Sequence, residues 1–219
     1  MASDEFVRTL NELASHRVIL FGGKGGVGKT TLSTKAAQHF AESRKTILFS
    51  ADPSAHHPET AQPRNLTTES LDAEKLYARF LDTNLASFIE LGDRGTYLDR
   101  DEVRRFFELS LPGVDELMAW MRIGELVEEN EDAIVIVDTA PTGHALRMLA
   151  ASEHFRHFAN ALDAMQEKHR GMVRQFTRRD VRDAMDAFIE DFAARADRWR
   201  ALLGAAAFVP VTLSEPLVV

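Results

Sequence analysis

The segment Gly22-Gly23-Lys24-Gly25-Gly26-Val27-Gly28-Lys29-Thr30-Thr31 has the residue types and spacing to handle a phosphate group. In Gly23-x4-Gly28-Lys29-Thr30 the glycines let several backbone N–H groups turn onto one anion. Lys29 would reach the β- and γ-phosphates of a nucleotide, and the Thr30 hydroxyl would ligate Mg²⁺. The backbone of Gly23, Gly25, Gly26, Val27 and Gly28, with Thr31 just beyond, forms the expected cradle. Such a loop needs a strand before it and a helix after it. The apolar run Arg17–Phe21 and the small/apolar pattern from Leu32 to Phe40 predict both. The helix start adds unpaired donors and the positive end of its dipole.

Two carboxylates stand where strands should end. Lys45–Ser50 reads as a second strand that delivers Ala51-Asp52-Pro53 to the sheet edge where open α/β folds place ligands. Asp52 is a candidate to hold or activate an attacking water, and a turn-forming Asp-Pro is the alternative. Asp132–Asp138 is a β-branched run of the kind buried on both faces of a parallel sheet. Asp138 at its end could bind Mg²⁺ through water. Gly143 would let a backbone N–H approach the γ-phosphate, making Thr139–Arg147 a sensor of the nucleotide state. The adjacent His56 and His57 lack a third ligand at a convincing spacing and read as a solvated pair.

These residues need a sheet to present them. With 219 residues and 45% apolar content, the chain can bury one sizeable α/β core. A net charge of −8 gives no footprint for nucleic acid or an anionic membrane. The absence of cysteine excludes disulfides, thiolate metal sites and thiol nucleophiles. No apolar run approaches the roughly 20 residues of a spanning helix, so no direct membrane insertion is expected. The start, Met1-Ala2-Ser3-Asp4-Glu5, is not a signal peptide, and a cytoplasmic protein is expected.

The remaining pattern supplies the flanking layers. Asp4–His16 predicts a helix with Phe6, Leu10 and Leu13 on one face. Ser54–Thr68 reads as a polar loop, and loop continues from Asn65 into a strand-like piece at Lys75–Phe80. Helices are predicted over Thr83–Glu90, Asp101–Leu109 and Val114–Glu128. The Met, Phe and Trp120 stripe of this region could line a groove or pack a core, with core the plainer explanation. Ser152–Leu203 is mostly helical, with Val181, Met185, Phe188, Phe192, Trp199 and Leu202 as an apolar stripe. Arg174, Arg178, Arg179 and Arg182 read as a solvated face, and a last strand with a turn follows at Phe208–Leu217. The expected fold class is α/β, a mostly parallel sheet flanked by helices. It is expected as a single domain over residues 1–219, with a helical elaboration from about 83–128 and 152–203.

Asp138-Thr-Ala-Pro-Thr-Gly-His144 followed by Leu146-Arg147, with the Lys24-bearing loop and Asp52-Pro53, resembles the ATPases of the arsenite pump. Their homologues guide tail-anchored membrane proteins to their membrane. Leu111–Glu116 and Ala164–His169 fit the same family. The resemblance implies a P-loop NTPase that binds ATP and Mg²⁺ and works as a homodimer with ATP at its interface. Lys24, the signature lysine of deviant-loop ATPases, would reach the partner's nucleotide. The client would be an apolar transmembrane helix held in a groove, or a membrane transport partner driven by the motor. Septum-site and chromosome-partition ATPases share the lysine loop but lack the Asp138–His144 motif, and are the runner-up. A nucleotide-gated binding module with little turnover is a third reading.

The sequence departs from the family in places. After Asp52-Pro53 the relatives carry a serine-aspartate element, whereas this chain reads Ser54-Ala55-His56-His57-Pro58. Without cysteine, neither the arsenite pump's metalloid site nor the zinc-bound Cys-x-x-Cys of some relatives can form. The strand and loop that hold adenine in the family are expected to be missing from this sequence.

Overall fold

A computed structural model describes residues 2–52, 63–96, 99–108, 113–140, 143–177 and 182–212. The expectations for His56, His57, Pro58, Arg178, Arg179, Val181 and the turn after the last strand fall outside those residues.

Helix α1 (Ala2–Leu13) leads into strand β1 (Val18–Gly23), and helix α2 (Lys29–Ala41) follows the glycine loop. Strand β2 (Thr46–Ser50), strand β3 (Leu66–Ser70) and helices α3 (Ala73–Gly95), α4 (Arg100–Glu108) and α5 (Val114–Glu129) come next. Strand β4 (Ile134–Asp138), helices α6 (His144–Thr177) and α7 (Ala184–Gly204), and strand β5 (Ala207–Val211) complete the order. The described strands form one parallel sheet in the order β3-β2-β4-β1-β5. This is the α/β P-loop architecture, in which every strand delivers its C-terminal end to the same side.

The central strands are apolar because both faces are covered. Every residue of β2 and β4 is buried, as are Val18 to Phe21 of β1. Ile19, Phe21, Leu48, Ile134 and Ile136 cluster with Ala36, Ala37 and Phe40 of α2 and with Leu10 of α1. Phe6 and Leu13 pack against the same cluster, so the apolar face expected for the first helix is the one it buries. The edge strand β3 behaves differently: Leu66 is its buried residue, and Thr67, Thr68 and Ser70 are exposed.

Two expectations are corrected here. Leu66–Ser70 is strand rather than loop, and Lys75–Phe80 is the start of the 23-residue α3, not a strand. A polar edge strand carries no alternating signal when it buries so little. Thr83–Glu90, read as a short helix, is the middle of α3.

The chain divides into two compact units. The first comprises residues 1–72, 119–149 and 201–219 and holds the sheet. On its surface Arg122 of α5 donates to both carboxylate oxygens of Glu69, at 2.6 and 3.0 Å, and to Glu125 and Glu129. The bond to Glu69 does most to raise the guanidinium's pKa and fastens α5 to the edge strand.

The second unit, residues 73–118 and 150–200, is helical and centred on Phe88. The Phe88 ring lies 4.9 Å from Phe107, 5.3 Å from Phe158 and 6.0 Å from Phe192. These are ordinary offset and edge contacts of aromatic cores. Met118 of α5 is buried in this unit, as are Val103 and Phe107 of α4; Trp120, Met121 and Leu126, further along α5, are buried in the first unit. Of the two readings of that stripe, core packing is therefore the one these residues follow.

Both α4 and α7 start on reciprocal caps. Asp99 Oδ1 accepts from the N–H groups of Asp101 and Glu102, and Glu102 Oε2 accepts from Asp99 N–H. Asp183 Oδ1 accepts from Met185 N–H, and Asp186 Oδ2 accepts from Asp183 N–H. Asp183 also accepts from Arg94 Nη1 at 2.5 Å. Burial raises the Asp183 pKa, but Arg94 and the Met185 N–H outweigh it, and the carboxyl sits below its ordinary value. A lowered folded pKa stabilises above about pH 4 and is lost as the pH falls through the folded value. Asp183 is more than a third exposed, so solvent screening keeps this contribution below about 1 kcal/mol. Melting curves from pH 6 down to pH 2 should therefore show Asp183→Asn losing less stability in acid than the parent.

Candidate functional site

The glycine loop joins the end of β1 to the start of α2. Gly28 precedes α2 with φ +90°, a left-handed conformation that favours glycine, and its carbonyl accepts from Leu32 N–H at 3.0 Å. No side chain caps this helix start, so its first N–H groups remain directed into the loop. Lys29, 7% exposed, folds back so that Nζ donates to Lys24 O at 3.2 Å. The ammonium is thereby held within the loop's concavity. Lys24 itself, like Gly25, Gly26 and Thr31, is exposed, while Gly23, Val27 and Thr30 are half-buried.

Asp138 ends β4, paired in register with Phe21 of β1 on one side and Ser50 of β2 on the other. It is 1% exposed, and Thr30 Oγ1 donates to its Oδ2 at 2.6 Å. This contact joins residues 108 positions apart and brings the expected Mg²⁺ ligands, one from the loop and one from the strand end, together. A hydroxyl and a carboxylate are hard oxygen donors of the kind Mg²⁺ takes. No cluster of three or more His, Cys, Asp or Glu residues that could hold a metal is present among the described residues. The pair thus fits an ion whose other ligands are water and substrate phosphate.

Asp52 lies two residues beyond the end of β2. Ser50 Oγ donates to Asp52 O at 3.0 Å, and Ala51 N–H donates to Asp138 O at 2.9 Å. The exit of β2 is therefore tied to the end of β4, with Asp52 on the same sheet edge as Asp138. Gly143 precedes α6 with φ +101°, and its carbonyl accepts from Arg147 N–H at 2.8 Å. A side chain there would be strained, and its Cβ would lie 3.1 Å from Arg147 Nη1. The structure thus gathers Lys29, Thr30 and Asp138 by direct contacts, and sets Asp52 at the adjoining strand end.

Thr139 was not singled out by sequence reasoning. Its Oγ1 donates to Phe21 O at 2.8 Å and its N–H to the same oxygen at 3.2 Å, locking β4 to β1 just where the loop begins. The signal available was its position after Asp138, but a hydroxyl serving a main-chain oxygen has no spacing rule. Arg17 was likewise missed. It donates to the carbonyls of Ala133, Val127 and Asn130, which fixes the opposite ends of β1 and β4.

The profile of a family described as anion-transporting ATPase matches residues 16–207. A Dictyostelium discoideum protein named ATPase ASNA1 homolog is 31% identical over 182 residues, covering 78% of this chain and 54% of its own. Its namesake from Plasmodium vivax is 28% identical over 187 residues, 81% of this chain and 50% of its own. The one from Babesia bovis is 30% identical over 162 residues, 73% and 45% respectively. The chain spans about half the length of these curated relatives.

Proposed function

Because the chain belongs to the anion-transporting ATPase family, we propose that it is a Mg²⁺-dependent ATP hydrolase whose two-fold dimer opens and closes with the nucleotide state. The observation that carries this reading is the Thr30–Asp138 contact at 2.6 Å beside the buried Lys29 at an uncapped helix start. In this proposal the N–H groups of Gly23, Gly25, Gly26, Val27, Gly28 and Thr31 hold the phosphates, and Lys29 spans β- and γ-oxygens. Thr30 and Asp138 would hold Mg²⁺, which would supply neutralisation of phosphate charge. Asp52 orients or deprotonates the attacking water, and the N–H of Gly143 answers to the γ-phosphate. Lys24 acts on the partner's nucleotide, where its charge offsets that of the transferring group.

The two units are taken as parts of one ATPase domain. Its setting is the cytoplasm; among the described residues no helix is long and apolar enough to cross a membrane. The output of the cycle is capture of an apolar helix of a client, a reading drawn from the sequence motifs.

Mixing two inactive variants tests the central claim. Lys24→Ala should abolish single-turnover hydrolysis by removing the partner's cation, and Asp52→Asn should do so by removing the water's partner. In an equal mixture half the dimers are mixed, each with one intact site, so about a quarter of the parent activity should return. If Lys24→Ala alone hydrolyses ATP normally, action across the dimer is wrong.

A further inference from the structure

Strand β2 is apolar from Ile47 to Phe49 and ends on a hydroxyl, Ser50, that is 0% exposed. A hydroxyl buried to that degree is costly unless it is hydrogen-bonded. The bond it makes runs forward along the chain: Oγ donates to Asp52 O at 3.0 Å, across a bend at Ala51. The residues behind that bend are fixed separately. Leu71 N–H donates to Ser50 O at 2.8 Å, and Ala51 N–H donates to Asp138 O at 2.9 Å. The sequence adds a restraint of its own, because a proline at position 53 disfavours the helical region for Asp52. The main chain that carries the Asp52 carboxylate is thus tied down at both preceding residues and at its own carbonyl.

The pleat gives the side of the sheet on which this happens. Leu48, two residues before Ser50, packs with Ala36, Ala37 and Phe40 of α2, and so does Ile136, two residues before Asp138. Ser50 and Asp138 are paired in register, so both side chains project to the face that carries α2. Thr30 of α2 meets Asp138 on that face. The Ser50 hydroxyl therefore draws the Asp52 carbonyl back towards the side of the sheet where the Thr30–Asp138 pair stands. With no exposed surface, the hydroxyl cannot itself reach a ligand. An influence on the reaction has to pass through the residue it holds.

We propose that Ser50 is a positioning residue for ATP hydrolysis, fixing the main chain at Asp52 and with it the place of that carboxylate relative to Asp138. The proposal rests on the role given to Asp52 above. Small displacements of a group that orients a reactant are expensive in rate, and they leave binding by other groups untouched.

Single-turnover hydrolysis by the full chain, measured against ATP concentration at saturating Mg²⁺, tests it. Ser50→Ala removes one oxygen and introduces no bulk, so the fold should survive. Its maximal rate should fall about tenfold or more, while the ATP concentration for half-maximal rate stays within about twofold of the parent. Ser50→Thr keeps the hydroxyl on a side chain suited to a strand and should recover most of the rate. A hydroxyl that only supports the fold would lower the melting temperature and leave the rate of the folded chain alone. A parent rate in Ser50→Ala would overturn the proposal, as would a loss that appears equally in the half-maximal ATP concentration. A Ser50→Thr variant that melts like the parent yet stays slow would do the same; should that variant not fold, the Ser50→Ala measurements decide alone. Asp52→Asn, assayed alongside, tells the two readings apart. If it hydrolyses ATP at the parent rate, the role of Asp52 falls and the proposal with it; if it is slow while Ser50→Ala is not, the positioning role alone is wrong.

Discussion

Lys29→Met should lower kcat/KM for ATP at least about a hundredfold while the fold survives. Lys29 stands at the first position of α2, 7% exposed, with Nζ on Lys24 O at 3.2 Å. Among the described residues this buried ammonium hydrogen-bonds a neutral carbonyl, so an anion in the loop gains strongly from it. Met has nearly the same length and no charge. It forfeits one hydrogen bond, worth about 1 kcal/mol, and removes a desolvated charge, so the melting temperature without nucleotide should change little. The effect is confined to the anion. Phosphate release against ATP concentration, and the rise in melting temperature with added ATP, measure it directly. Both should collapse together. A variant that keeps the parent rate would show that the loop is not where ATP is hydrolysed.

The parts of this site that sequence alone revealed are those whose chemistry is local. Gly23 to Thr31 is contiguous, and the need for a strand before it and a helix after it is met by neighbouring residues. The β-branched run ending at Asp138 announced a buried strand because both its faces are covered. What could not be read was the partner of that carboxylate. The Thr30–Asp138 contact depends on β4 lying between β1 and β2, an order that no local pattern encodes. The edge strand β3 escaped for the opposite reason: with Leu66 as its buried residue, it has too little apolar surface to show a period. Lys75–Phe80 misled because Leu76, Tyr77 and Phe80 are β-prone residues spaced equally well for a helix, and the length of α3 decides the matter.

In the helical unit the legible and illegible parts fall out the same way. The apolar stripe of α7 is confirmed by the burial of Met185, Phe192 and Trp199. The caps Asp99-x-x-Glu102 and Asp183-x-x-Asp186 were present as local signals and would have placed both helix starts. The convergence of Phe80, Phe107, Phe158, Phe188 and Phe192 on Phe88 joins α3, α4, α6 and α7, and is tertiary information. Each of those rings signals only "apolar" along its own helix.

Asp138→Asn should separate the metal from the nucleotide. The carboxylate is 1% exposed, locked in register between Phe21 and Ser50, and accepts from Thr30 Oγ1 at 2.6 Å. The asparagine oxygen can still accept from that hydroxyl, so the strand end keeps its geometry. Removing a buried negative charge should leave stability unchanged or slightly higher when metal is absent. What is lost is the anion that a divalent ion requires at this point. Hydrolysis at saturating ATP should fall about a hundredfold, and the Mg²⁺ concentration for half-maximal rate should rise about tenfold or more. Binding of metal-free ATP, which rests on the glycine loop and Lys29, should remain close to the parent. A purely structural carboxylate would give the reverse pattern, with lower melting temperature and an unchanged Mg²⁺ requirement. The contrast between these two outcomes assigns Asp138 its role without any assumption about the dimer, since both measurements report on a single nucleotide site.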